Sequence, residues 1–196
     1  MMFPEVIEIS ESSSADRLRW WNWWPMLLGP ADMLFVCLAR RLGWTWFLSK
    51  GLHEALGTHL TAAAAGCYLL LAWRSGNPVH KLLAALSIAF LCREIHFAGT
   101  THGVYAALAL LVLWAWLWRG RLKTGAAEGR LLVWLCATAF TYILSELVAR
   151  NILRVVGIHY GLEMRCWTEE SLESMAHVML IITAFSDRFR RPKVSP

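Results

Sequence analysis

The chain has 196 residues, 57% of them hydrophobic and only 17% charged, with a formal net charge of +5 and a mean hydropathy of +0.45. Soluble domains carry about 25% charged residues, so this composition argues against an ordinary soluble fold and predicts an all-α integral membrane bundle of about six transmembrane helices. The positive charge sits on arginines at the ends of apolar runs, an arrangement that suits lipid headgroups and excludes a nucleic-acid partner.

In chain order, residues 1–22 read as a polar and then interfacial segment, in which Ser14 caps a short amphipathic helix through Trp21. The segment has acids and no basic start, so no cleavable signal peptide is expected. Residues 23–188 form a single transmembrane domain, and residues 189–196 form a basic cytoplasmic tail. The first apolar run, Trp23 to Ala39, is interrupted by Pro25, Gly29, Pro30 and Asp32, which predicts a kink near Pro30 and a capping role for Asp32. Residues 40–56 read as an interfacial connector. Five further runs follow, at 57–73, 80–98, 102–118, 131–149 and 168–188, each long enough to cross a hydrocarbon core of about 30 Å.

Tryptophans flank most of these runs, as in an interfacial aromatic belt. The segments His53 to His59 and His96 to His102 share a His-x5-His pattern with an internal Gly-Thr, which predicts repeated hairpins, three in all. Five cysteines without CxxC spacing exclude a disulfide framework and a zinc ribbon.

Arg119, Arg121, Lys123 and Arg130 flank one connection, and Arg188, Arg190, Arg191 and Lys193 follow the last run. By the positive-inside rule both termini are cytoplasmic, as in a bacterial inner (plasma) membrane protein. That topology brings His53, Glu54, His59, Arg93, Glu94, His96, His102, Glu146, Glu169, Glu170, Glu173 and His177 to the non-cytoplasmic face. Ionisable groups at such depth are costly and tend to be kept for substrate, ion or proton handling.

Thr168 reads as the N-cap of the last helix, with Glu169 and Glu170 in its first turn, where acids complement the helix dipole. Glu173 and His177 lie beyond that turn, at i and i+4, and present their lone pairs to one point. His96, His102, Glu173 and His177 are therefore the candidate ligands of a divalent transition metal, zinc or iron. Glu94, Glu146 and Glu170 are candidate ligands or proton carriers, and Arg93 is placed to hold an anionic headgroup. Glu94 and His96 can share a site only if their helix ends near Phe97, and Glu146 reads equally as an ion-pair partner of Arg150.

The expected activity is that of a metal-dependent intramembrane hydrolase or oxidoreductase acting on a lipid or lipid-linked substrate. Two other classes use the same residues: a small transporter with a proton or cation pathway, and a haem protein with His102 and His177 as axial ligands. No His-Glu-x-x-His, Gly-x-Ser-x-Gly or glycine-rich phosphate loop is present.

Overall fold

Four residues reverse the chain between two of the long helices. Gly76 takes the left-handed conformation (φ 64°), Asn77 accepts a hydrogen bond from the Val79 amide at 2.9 Å, and Pro78 opens the next helix, where its missing N–H costs nothing. The computed structural model describes residues 20–95, 100–125, 129–157 and 161–188. Among these the fold is all-helical. A 3₁₀ segment, Trp20–Leu27, leads into α1 (Leu28–Arg41); α2 (Lys50–Ser75), α3 (Pro78–Glu94), α4 (Thr100–Leu117), the short α5 (Arg119–Gly125) and α6 (Gly129–Ala149) follow. A second 3₁₀ segment, Ile152–Val156, then precedes α7 (Leu162–Arg188).

Helix α7 is the axis of the bundle, packing against α1, α2 and α6, while α3 packs on α2 and α4 packs on α3. Leu172, Ala176, Met179 and Leu180 of α7 are fully buried. At one end of the bundle Tyr68, Val79, Leu83, Leu180 and Ala184 form a core against which Leu122 of α5 packs. The Tyr68 hydroxyl bonds to the Leu180 carbonyl and to Thr183 there. The opposite end gathers the start of α2, the end of α3, the start of α4, the end of α6 and the first half of α7. The antiparallel order of the helices makes these ends neighbours.

Five buried hydroxyls are satisfied within their own helices. Thr61, Ser87, Thr138, Thr141 and Thr168 each donate to the carbonyl four residues earlier, at 2.7 to 2.9 Å. Small residues let the helices approach closely: a Cβ on Gly29 would stand 3.0 Å from Thr141 Oγ1, across the α1–α6 contact.

Several boundaries differ from the sequence expectations. Helix α2 starts at Lys50, so His53 and Glu54 belong to a helix and not to a connector. Pro30 lies in the first turn of α1, whose amides have no intrahelical acceptor, so it needs no interior kink. Asp32 is not a cap; it is buried and accepts a hydrogen bond from Ser171 at 3.0 Å. Helix α7 begins six residues before Thr168, which is therefore an interior residue back-bonded to Met164, and only Glu163 is an acid of the first turn. Helix α3 ends at Glu94, before Phe97. The N-terminal amphipathic helix at Ser14, the basic tail and His96 lie outside the described residues.

Two stretches among the described residues are long and apolar enough to cross a membrane, Lys50–Ser75 and Leu131–Ala149; Gly103–Leu117 is apolar but shorter.

Candidate functional site

Arg93 and Glu94 are the last residues of α3, and consecutive helical side chains diverge by about 100°. Each therefore reaches a different group on α7. Arg93 Nη2 donates to Glu173 Oε1 at 2.6 Å, and Glu94 Oε1 lies 3.7 Å from His177 Nε2. Glu173 and His177 are four residues apart on one face of α7, so the two contacts form successive rungs between α3 and α7. Helix α2, which packs against both, leaves room for the lower rung. A Cβ on Gly57 would meet Glu94 Oε2 at 2.9 Å and His177 Cδ2 at 3.7 Å. Any larger residue there pushes the carboxylate away.

Helix α6 adds the third member. The Tyr142 hydroxyl lies 2.6 Å from His177 Nδ1, and the Tyr142 ring packs on Phe90 with centroids 4.7 Å apart. His177 is 1% exposed and its Nε2 has no hydrogen-bond partner among the described residues. Burial of such a nitrogen is costly unless a charge compensates, and the Glu94 carboxylate is the group that faces it.

Beside these residues a cavity of about 580 Å³ opens between α3, α4 and α6, within the size range of small-molecule pockets. Phe90, Val104, Leu108, Ile143, Leu147 and Ile152 make its apolar wall; its polar lining is Arg93, Glu173 and Tyr142 with Tyr105, Glu146 and Arg150. Arg150, just past α6, donates through Nε to Glu146 Oε2 and through Nη2 to the Tyr105 hydroxyl, each at 3.0 Å. The hydrogen bond that it donates to Glu146 holds this exposed guanidinium above its ordinary pKa. Glu146 is thus the ion-pair partner of Arg150, and it also lines the cavity.

The expected metal ligands do not form a donor set among the described residues. No three His, Cys, Asp or Glu side chains there are placed to hold an ion. Glu173 is engaged by Arg93 and His177 Nδ1 by Tyr142. His96 lies outside the described residues, and His102 is in the first turn of α4 with a side chain that is likewise not described. Glu169 and Glu170 are half-buried on α7 and do not line the cavity; the Glu169 carbonyl accepts from Ser145 at 3.3 Å.

The two histidines of the first His-x5-His segment have different fates. His53 is buried, with Nδ1 3.0 Å from Ser174 Oγ, whereas His59 is exposed and bonds to the Ala55 carbonyl of its own helix. Asp32 and His53, bonded to Ser171 and Ser174 of α7, are further polar groups in the bundle and do not line the cavity.

Sequence reasoning missed Tyr142, Tyr105 and Gly57. A signal existed for Tyr142, which precedes Glu146 by four residues and therefore shares its helix face.

Comparison of the chain with protein-family models, with curated proteins and with solved structures found no match.

Proposed function

We propose that this chain is an integral membrane enzyme acting on a lipid or lipid-linked substrate whose polar end enters the cavity between α3, α4 and α6. The observation that carries this reading is the cavity itself, with a mainly apolar wall and two Arg–Glu pairs beside a hydrogen-bonded tyrosine and histidine. Six of the helices, α1 to α4, α6 and α7, would span the bilayer. The surface supports this placement: Leu110 and Val112 of α4, Ile143 of α6 and Trp73 of α2 are 67%, 69%, 57% and 82% exposed, a belt of large apolar side chains unsuited to water. Arg119 and Arg121 stack over Trp116 and Trp118 at the other end of the bundle, as interfacial anchors would.

The cavity then lies towards the non-cytoplasmic face, with both termini in the cytoplasm. A reporter active only in the cytoplasm, fused after Pro196, is expected to be active; inactivity there, with activity of an export-dependent reporter at the same point, would invert the orientation. Proton handling in this site falls to Glu94, His177 and Tyr142. A zinc or iron centre would need His96 or His102 to complete its ligands.

Occupancy of the cavity is testable directly. Pyrene-labelled lysophosphatidylglycerol titrated into the protein in non-ionic micelles is expected to bind saturably, and Leu147→Trp, which fills the apolar wall, is expected to weaken binding by about tenfold or more, the equivalent of roughly 1.4 kcal/mol. Non-saturable partitioning, or equal binding by the variant, would remove the lipid from the proposal.

A further inference from the structure

We infer that Tyr142 is the nucleophile of this site, with His177 as its base and Glu94 holding the imidazole, and that the electrophile is the phosphorus of a lipid phosphate ester. The inference rests on the proposed lipid reading for its substrate, and on the geometry of three residues for its chemistry.

Glu94 Oε1 faces His177 Nε2 at 3.7 Å, and a carboxylate there favours the tautomer with the proton on Nε2. Nδ1 is then a lone pair, and the Tyr142 hydroxyl, 2.6 Å away, is its donor. Carboxylate, imidazole and hydroxyl thus stand in the order by which a buried acid orients a histidine and the histidine takes a proton from a nucleophile. His177 is sealed from solvent and Tyr142 lines the cavity, and among the described residues His177 Nδ1 is the acceptor in contact with the phenol. Phe90 stacks on the Tyr142 ring and fixes its approach. Gly57 matters because a side chain at that position would displace the Glu94 carboxylate.

The phosphoryl assignment follows from the neighbouring cations. Arg93 uses Nη2 on Glu173, but a guanidinium has five N–H donors in a planar fork that matches phosphate oxygens. Arg93 and Arg150 line the same cavity as Tyr142.

In the first step the phenolic oxygen bonds to phosphorus and the bond from phosphorus to the leaving alcohol breaks. The phenolic proton passes to His177 Nδ1, and the departing oxygen takes a proton from a water in the cavity, leaving hydroxide. In the second step that hydroxide attacks the phosphotyrosyl phosphorus; the bond between phosphorus and the Tyr142 oxygen breaks and the phenoxide recovers its proton from His177 Nδ1. The net reaction is hydrolysis of the ester by one water.

The cavity contains its own control, because Tyr105 and Tyr142 both line it and, among the described residues, only Tyr142 is bonded to a histidine. Phenylmethanesulfonyl fluoride reports phenol nucleophilicity: the phenolic oxygen bonds to sulfur, fluoride leaves, and the proton goes to the base. Labelling rates of the two tyrosines in the full-length protein would be followed by peptide mass spectrometry. Tyr142 is expected to react on the order of 10²-fold faster than Tyr105, the typical contribution of a positioned base. His177→Gln and the isosteric Glu94→Gln are each expected to cut the Tyr142 rate by about tenfold or more and to leave Tyr105 unchanged. Equal rates at the two tyrosines, or a Tyr142 rate untouched by Glu94→Gln in a variant that elutes and unfolds like the parent, would overturn the relay. Pyrene-labelled lysophosphatidylglycerol separates the two ideas. Selective Tyr142 labelling without binding of this probe overturns the lipid phosphate ester and leaves the nucleophile standing; binding without selective labelling overturns the nucleophile alone.

Discussion

Glu173→Ala is expected to lower the unfolding free energy by about 3 kcal/mol, the low end of the cost of breaking a buried ion pair. The reason lies in what remains. Glu173 is 12% exposed and its partner Arg93 is 32% exposed, so removing the carboxylate strands a guanidinium that only the cavity can solvate. The pair also ties α3 to α7 over a sequence separation of 80 residues, and the loss should fall on the packing of those helices. Replacing both partners with apolar residues, Arg93→Met with Glu173→Leu, is expected to recover most of the stability, because the desolvation of both charges disappears together. Equilibrium unfolding in mixed micelles measures both variants. A single variant as stable as the parent would mean that Arg93 and Glu173 are not paired in the folded protein.

His177→Ala is expected to cost about 3 kcal/mol, through the void left by a sealed imidazole and the unpaired Tyr142 hydroxyl beside it. Tyr142→Phe removes the same hydrogen bond without a void and should cost only about 1 kcal/mol. The difference is diagnostic. His177 touches Tyr142, Phe90 and Glu94 at once, on three sides of a fully buried ring, whereas the Tyr142 ring keeps its contact with Phe90 in the phenylalanine variant. Equal costs for the two substitutions would show that the imidazole is not packed in the core.

The i,i+4 relation of Glu173 and His177, the consecutive Arg93 and Glu94 at the end of an apolar run, and the helical character of each run were all legible in the sequence. These are local properties: 3.6 residues per turn sets which side chains share a face, whatever the helix later packs against. Helix ends were less legible. Thr168 followed by Glu169 and Glu170 has the composition of an N-cap, yet α7 begins at Leu162, and the Thr168 hydroxyl is satisfied by the carbonyl of Met164 instead. A serine or threonine can cap a helix or back-bond within one, and local sequence does not choose between them. Asp32 illustrates the same limit, since its partner Ser171 lies 139 residues away.

The partners of the site residues were decided by tertiary structure. Arg93 and Glu173 were expected to hold, respectively, a headgroup and a metal, and they hold each other; Tyr142 carried no expectation, and it stands between the cavity and His177. The physical reason is that a helical period fixes the direction of a side chain about its own axis, while the group it meets depends on how the helices are packed. At Gly57 that packing turns on the absence of a single Cβ, which lets α2 lie against the Glu94–His177 contact.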